Sequence, residues 1–288
     1  MYRRLSFILL CFGLEQPIPL SAATPSEVEV EKNIPYCKVG DKELQLDIAL
    51  PEGKGPFPAV LCVHGGAWRF GQRQDCDVLI ERLAKRGFVA ATVSYRLLPD
   101  AKFPEPLVDC KTAVRFLRAN AEKYRIDKDR IGAVGFSAGA HLVGLLGTTA
   151  KTAGFEGDEY PCQSSAVQAV VSYFGPTDLT LYGNDESAQT STFSPLLGAS
   201  YKDKPDLYRK ASPIAYVSKD SPPFLFLHGT KDWLVPIEHS RRMCKKLKEA
   251  GVEADLIEVE GEQHGWGGAK AVKTTEAAFK FLAKQLKK

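Results

Sequence analysis

Ser137 is the first residue of this chain whose setting could support chemistry. It lies in the pentapeptide Gly-Phe-Ser-Ala-Gly at residues 135–139, between an apolar strand pattern at 131–134 and a helical pattern at 141–146. A strand that turns abruptly into a helix holds its serine in a strained backbone conformation with the hydroxyl exposed, and glycines are needed beside it because larger side chains would collide. The spacing therefore predicts a nucleophile at the tip of a tight turn.

A serine hydroxyl is a poor nucleophile until an imidazole takes its proton, so Ser137 needs a base and an acid. Asp232 follows the apolar run at 224–227, and His264 follows the alternating run at 254–259. Ser, then Asp, then His is the chain order of the α/β-hydrolases and differs from the two common protease orders. We predict that His264 is the base and that Asp232 orients its ring and stabilises its charge.

The sequence also offers an oxyanion hole. The segment Val-His-Gly-Gly-Ala-Trp at residues 63–68 follows a strand pattern at 59–63. The backbone N–H groups of Gly65 and Gly66, together with that of Ala138, are predicted to converge on the oxygen of the tetrahedral intermediate. One such donor lowers the barrier by about 3 kcal/mol.

Several residues compete for these roles. Asp178 also follows an apolar run, at 169–174, and is the alternative acid. We favour Asp232 because its loop follows the next strand, where this fold usually carries its acid, and we expect Asp178 to cap the following turn. His64 and His141 are predicted to be structural, and His228 to close its own turn by hydrogen bonding.

Two tryptophans flank the predicted site. Trp68 follows the oxyanion loop and Trp266 follows the base, so both are candidates to stack on a sugar or aryl face of a substrate. The alternative for each is packing that rigidifies its loop. Neither Cys-x-x-Cys nor His-x-x-x-His spacing occurs, so the sequence indicates no metal site, and the predicted chemistry requires no cofactor.

Strand and helix patterns alternate along the chain. Strands are predicted at 34–39, 44–50, 58–63, 88–94, 131–136, 169–174, 223–227 and 254–259, and helices at 76–85, 105–124, 138–148, 237–250 and 269–287. This pattern predicts an α/β protein with a mostly parallel eight-stranded sheet covered by helices on both faces. Residues 175–221 are predicted to form either a small lid or wall over the site or a plain surface excursion, with no large cap domain.

Length and charge bound the remaining possibilities. With 288 residues and 44% hydrophobic content, residues 24–288 are expected to form one domain with one large core. A net charge of +3 is too small to indicate a nucleic-acid partner. The sequence leaves the oligomeric state open.

Residues 1–23 resemble an export signal. Arg3 and Arg4 precede an apolar run at 5–14, and small residues at 21–23 offer a cleavage site, so we expect a secreted or periplasmic protein. The run is too short to span a bilayer, so stable membrane insertion is not expected. Six cysteines follow this segment, and an even number in an exported protein permits disulfides without fixing their pairing.

Several segments together resemble a known group of enzymes: residues 64–68, 94–97 with Pro99, 120–124, 126–127, 130–142, 174–178 and 228–229. They are similar to the α/β-hydrolase esterases that include bifunctional feruloyl and acetyl xylan esterases. They also resemble, more distantly, the hormone-sensitive-lipase-like carboxylesterases. That second group usually has a third glycine where Ala67 stands and an acidic residue where Phe136 stands, so these two positions favour the first group.

The resemblance implies hydrolysis of carboxylic esters through an acyl-enzyme, on acetyl or feruloyl groups of plant polysaccharide. The catalytic roles would fall on Ser137, Asp232 and His264, with Gly65, Gly66 and Ala138 in the oxyanion hole. A general short-chain carboxylesterase is the main alternative, because specificity depends on pocket walls that motifs do not describe. A serine peptidase of the prolyl-oligopeptidase type and a non-catalytic binding protein are less favoured. The former usually carries a propeller domain for which there is no room, and the latter typically lacks a triad residue.

Overall fold

One eight-stranded sheet forms the centre of the molecule. The computed structural model describes residues 28–149 and 154–287. The strands are β1 Glu29–Val39, β2 Lys42–Leu50, β3 Phe57–Val63, β4 Val89–Val93, β5 Ile126–Phe136, β6 Ala169–Tyr173, β7 Phe224–Gly229 and β8 Ala254–Val259. Their order is β1-β2-β4-β3-β5-β6-β7-β8. The β1–β2 and β2–β4 pairs are antiparallel and the other pairs are parallel, which confirms the predicted mostly parallel sheet.

The described residues form eight α-helices. They are α1 Asp77–Ala84, α2 Glu105–Ala119, α3 Ala138–Thr148, α4 Glu186–Ala188, α5 Ser194–Leu197, α6 Pro205–Lys210, α7 Glu238–Glu249 and α8 Gly268–Leu286. Helix α2 ends five residues earlier than the sequence indicates. Asn120 is its C-cap, with φ −102° and ψ 23°, and both its N–H and its side-chain amide donate to the Phe116 carbonyl. Strand β5 starts five residues earlier than predicted, and β1 extends to Glu29 through polar residues.

The helices cover both faces of the sheet because its inner strands are apolar on both sides. Along β3, Leu61 and Val63 pack in the cluster that contains residues of α2, α3 and α7. The alternate residues Val60 and Cys62 pack in the cluster that contains residues of α1 and α8. This is the two-residue period of a strand, and each such side chain removed from water stabilises the fold by roughly 1.5–3 kcal/mol.

The parallel register brings the candidate site residues to one edge of the sheet. Val63 at the end of β3 pairs with Gly135 in β5, and Phe136 pairs with Tyr173 in β6. Tyr173 in turn pairs with Leu227 in β7. The carboxyl ends of these strands therefore lie side by side, which is where ligands bind such sheets.

Residues 175–221 pack over this edge as a series of short helical turns. Besides α4 to α6, the segment has 3₁₀ turns at Leu179–Tyr182 and Pro213–Tyr216 and a π-helical turn at Gln189–Phe193. Leu179, Phe193 and Leu196 are buried in the main core. The segment is therefore anchored in the core and is not a plain surface excursion.

The predicted export signal at 1–23 lies outside the described residues. Within the part of the chain that is described, no helix combines the length and the hydropathy needed to cross a membrane. The six cysteines of that part, Cys37 to Cys244, are all free thiols, and Cys62 in β3 is buried.

Candidate active site

The turn between β5 and α3 holds Ser137 in a strained conformation. Its backbone dihedrals are φ 52° and ψ −116°, in a region that costs a non-glycine residue roughly 1–3 kcal/mol. Two hydrogen bonds hold the turn, from the Ser137 N–H to the Tyr173 carbonyl at 2.9 Å and from the His141 N–H to the Ser137 carbonyl at 3.0 Å. A Cβ on Gly139 would lie 2.2 Å from the Val63 carbonyl oxygen, so the helix can approach the sheet this closely only with glycine there.

The side chains of Ser137, His264 and Asp232 form a hydrogen-bonded relay. His264 Nε2 lies 2.9 Å from Ser137 Oγ, and His264 Nδ1 lies 2.7 Å from Asp232 Oδ2. An ionised carboxylate only accepts hydrogen bonds, so Nδ1 carries the proton of the neutral ring. Nε2 is then free to accept the proton of the serine hydroxyl.

Asp232 is buried, and hydrogen bonds satisfy its carboxylate. Oδ1 accepts the N–H groups of Leu234 at 3.0 Å and Val235 at 2.9 Å, while Oδ2 faces His264 and, at 3.2 Å, His228 Nε2. Burial by itself would raise the pKa of Asp232. Hydrogen bonds from His228, His264 and the Val235 N–H outweigh that effect and hold the pKa well below its usual range. The group is therefore an anion across the working pH range of most enzymes.

The contact between His228 and Asp232 was not predicted. His228 Nε2 faces two acceptors, the Val235 carbonyl at 2.7 Å and Asp232 Oδ2, so it must carry a proton. Its Nδ1 lies 2.7 Å from Ser240 Oγ. The ring does close its turn through Val235, as expected, but it also supports the acid. The sequence did contain one signal for this contact: His228 lies four residues before Asp232, with Gly229 at the end of the strand between them.

The glycine loop after β3 lies against the serine turn. A Cβ on Gly65 would stand 2.9 Å from the Phe136 carbonyl oxygen and 3.3 Å from Ser137 Cβ, so only glycine fits there. Gly66 has φ +113°, a conformation that favours glycine. Ala138 is the first residue of α3, where backbone N–H groups have no partner within the helix. Among the described residues, no group accepts a hydrogen bond from the N–H of Gly65, Gly66 or Ala138.

The competing acid is engaged elsewhere. Asp178 accepts hydrogen bonds from the N–H and hydroxyl of Thr180 at 3.2 and 2.5 Å, which caps the turn as the sequence predicted. Its other oxygen pairs with Arg242 at 2.9 Å.

The two histidines predicted to be structural are buried. His64 stacks on Tyr95 with ring centres 4.4 Å apart. His141 lies with Nε2 at 2.7 Å from the Ala211 carbonyl, and burial lowers its pKa to about 4.

A cavity of about 600 Å³ opens beside Ser137. Its walls come from the end of the glycine loop, from residues 176–193 and from residues 233–239 after the acid. The irregular segment thus supplies one side of the cavity, as a wall built of short helices. Within the described residues, no group of three or more His, Cys, Asp or Glu side chains is placed to hold a metal ion.

The structure separates the two tryptophans that were predicted to bind substrate. Trp68 lines the cavity, although it is only 3% exposed and packs edge-on against His141 at 5.0 Å. Trp266 is not part of the cavity lining. It donates to Thr274 Oγ1 at 2.9 Å and packs on Phe174 at 5.4 Å, which is the loop-stiffening alternative. Sequence reasoning missed Trp233, which lines the cavity and is 75% exposed.

A serine turn at the centre of a mostly parallel sheet, with an aspartate and a histidine supplied in that order by later loops, defines the α/β-hydrolase class. Within this class the chain belongs to the BD-FAE family, whose model matches residues 46–247. The family suggested by the sequence resemblance is thereby confirmed.

Several known relatives of the chain are named esterases. It is 32% identical over 234 residues to esterase LipC of Mycobacterium tuberculosis, a match that covers 79% of this chain and 58% of LipC. The chain therefore spans less than two thirds of the length of that relative.

Among solved structures, a truncated carbohydrate esterase from gut microbiota superposes with a TM-score of 0.80 at 30% identity, covering 92% of this chain and 99% of that one. Thermogutta terrifontis esterase 2, solved phosphonylated by cyclosarin, gives a TM-score of 0.76 at 28% identity, with coverage of 90% and 94%.

Proposed function

We propose that this chain is a serine carboxylic-ester hydrolase in which Ser137, His264 and Asp232 are the catalytic triad. The observation that carries the proposal is the position of the His264 ring, with Nδ1 at 2.7 Å from a buried carboxylate and Nε2 at 2.9 Å from the strained serine. Membership of the BD-FAE family and the similarity to named esterases support the same reaction.

The first half of the reaction forms an acyl-enzyme. Ser137 Oγ bonds to the ester carbonyl carbon while its proton passes to His264 Nε2, and Asp232 stabilises the imidazolium that results. The N–H groups of Gly65, Gly66 and Ala138 hold the oxyanion. When the carbon–oxygen bond of the ester breaks, Nε2–H gives its proton to the leaving alkoxide. Water then attacks the acyl-enzyme in the same way, with His264 again as the base, and Ser137 regains its proton.

The proposed substrates are acetyl or feruloyl esters of plant polysaccharide. The family match and the carbohydrate esterase among the similar structures support this assignment. General short-chain ester hydrolysis is the second candidate, because LipC and Thermogutta terrifontis esterase 2 are named simply as esterases.

The reaction is tested with p-nitrophenyl acetate and the Ser137→Ala variant. We expect the wild type to turn the ester over and the variant to lose about a million-fold in kcat, as intact triads do. A phosphonate ester should add a single covalent group to the wild type, on the peptide containing Ser137, and none to the variant. A wild type that neither hydrolyses the ester nor reacts with the phosphonate would end the proposal.

The substrate is tested with a panel of acetylated xylan, methyl ferulate and p-nitrophenyl esters of increasing chain length. Acetate release from xylan or ferulate release from the methyl ester supports the polysaccharide assignment. Turnover of the simple esters alone, falling beyond about four carbons, supports the general carboxylesterase.

A further inference from the structure

Large apolar side chains are exposed around the mouth of the cavity. Trp233 is 75% exposed, Leu234 49% and Leu181 41%, and all three line the cavity that contains Ser137. Leaving an indole in water forgoes the free energy of burying it, so an exposed tryptophan in a cavity wall marks a surface that a ligand covers. The flat face of an indole suits a ring.

The same cavity is acidic. Asp185 and Glu238 line it, and among residues 28–149 and 154–287 no lysine or arginine does. Asp185 Oδ1 accepts the N–H of Ala188 at 2.9 Å, where it caps α4. Within the described residues neither carboxylate forms an ion pair. Unpaired carboxylates are strong acceptors for hydroxyl groups and repel other anions.

A buried histidine adds a donor to the wall. His239 is a residue of the cavity lining, and its Nδ1 accepts the N–H groups of Thr177 at 3.2 Å and Asp178 at 3.3 Å. Nε2 of the neutral ring therefore carries a proton, and this atom has no partner among the described residues. Burial lowers the pKa of His239 to about 3, so the ring stays neutral. An unpaired buried donor is destabilising, and a ligand oxygen would satisfy it.

We propose that the cavity holds a neutral saccharide ring of the ester, stacked on Trp233, with its hydroxyl groups donating to Asp185 and Glu238. Esters whose saccharide carries a carboxylate are disfavoured by the same two side chains. This inference rests on the proposed esterase activity and specifies what lies beyond the ester bond. It makes Trp233 a determinant of specificity for the sugar, with no part in the bond-breaking steps.

The stacking is tested with Trp233→Ala, and Phe70→Ala serves as the matched control. Phe70 is 67% exposed and does not line the cavity. On acetylated xylo-oligosaccharides free of uronic acid, Trp233→Ala should lower kcat/KM about three- to tenfold through KM, as expected for loss of one ring contact. The loss on methyl acetate, whose alcohol carries no ring, should be smaller than the loss on the oligosaccharides, and Phe70→Ala should match the wild type on both.

Two outcomes would overturn the inference and leave the esterase assignment intact. One is unchanged kinetics of Trp233→Ala on the oligosaccharides. The other is a loss confined to methyl ferulate, which would mean that an aryl acyl group stacks on the Trp233 indole instead of a sugar. Failure of the wild type on p-nitrophenyl acetate would instead count against the proposed function itself.

The charge selection is tested with the double variant Asp185→Asn, Glu238→Gln. Asparagine is a good helix cap, so the end of α4 is preserved. The measured quantity is the ratio of kcat/KM on acetylated fragments that carry uronic acid to kcat/KM on neutral ones. At low ionic strength this ratio should be about threefold higher in the double variant than in the wild type, and 0.5 M salt should remove most of the difference. Glu186→Gln, an exposed neighbour outside the lining, should leave the ratio unchanged. An unaltered ratio in the double variant would show that the two carboxylates do not discriminate between neutral and acidic fragments.

Discussion

His228 Nε2 lies 3.2 Å from Asp232 Oδ2, the same oxygen that His264 reaches at 2.7 Å. One carboxylate oxygen therefore receives two imidazole N–H donors. In the proposed mechanism the His264 ring is oriented by an acid that a second histidine holds in place. His228 would then be a positioning residue, separated from the ester by Asp232, His264 and Ser137.

Replacing His228 should slow the reaction without weakening substrate binding. We expect His228→Phe to lower kcat about ten- to a hundredfold with little change in KM, because a hydrogen bond to a charged group contributes about 1.5–3 kcal/mol. His228→Gln, which retains an N–H donor, should recover part of the loss. If KM rose by as much as kcat fell, and if His228→Gln recovered none of the activity, the cause would be a general folding defect instead.

The depressed pKa of Asp232 should appear in the acid stability of the protein. Its folded-state pKa lies below the ordinary value, so the unfolded chain binds the proton more readily and the stabilisation is lost as pH falls below about 4. In denaturant unfolding, the difference in unfolding free energy between the wild type and Asp232→Asn should therefore be largest above about pH 5 and begin to shrink as pH falls below about 4. A difference that stays constant with pH would contradict the assignment.

Buried His141 predicts a second pH dependence in a different window. With a folded-state pKa of about 4, it contributes stability that is complete above about pH 6.5 and is lost as pH falls toward 4. The loss is of the order of 3 kcal/mol for such a shift. His141→Gln should flatten the unfolding free energy between pH 6.5 and 4 relative to the wild type. A slope identical to the wild type would mean that the ring is not held neutral.

Replacement by alanine should be far more destabilising at one glycine of α3 than at another. The Cβ of Gly139→Ala would meet the Val63 carbonyl oxygen at 2.2 Å, and backbone of the central sheet cannot yield, so we expect a loss of more than about 3 kcal/mol or insoluble protein. At Gly144 the nearest atoms belong to the Pro213 side chain, at 3.2 Å. Gly144→Ala should be tolerated within about 1 kcal/mol, since alanine favours the helix. Thermal unfolding of the two variants compares them directly.

Local patterns predicted most of the fold because its strands and helices have strong periodicity. Helix α3 has the predicted bounds, and all eight strands lie where apolar runs indicated. The end of α2 was missed because it depends on the backbone conformation of Asn120, which leaves the helical region at φ −102° and ψ 23°, and hydrophobic spacing does not reveal such a change.

The relay was predictable for a different reason: Ser137, Asp232 and His264 each follow a strand, and parallel strands end together. Trp233 and Trp266 could not be told apart from sequence. Both adjoin a predicted catalytic residue, yet one is exposed in the cavity and the other is tied to Thr274 Oγ1. Exposure depends on how loops from distant parts of the chain meet, and spacing carries no such information. For the support of Asp232 by His228, the four-residue spacing of the two residues was the only signal in the sequence.

The close contacts of Gly139 with Val63 and of Gly65 with Phe136 join the serine turn, the glycine loop and two central strands into one block. The opposite side of the cavity is made of short helical turns between β6 and β7, which touch that block without sharing its backbone. Substitutions there can reshape what the cavity accepts while the reacting atoms keep their spacing. Evolution could thus change the ester preference of such an enzyme through substitutions in the segment between β6 and β7 alone.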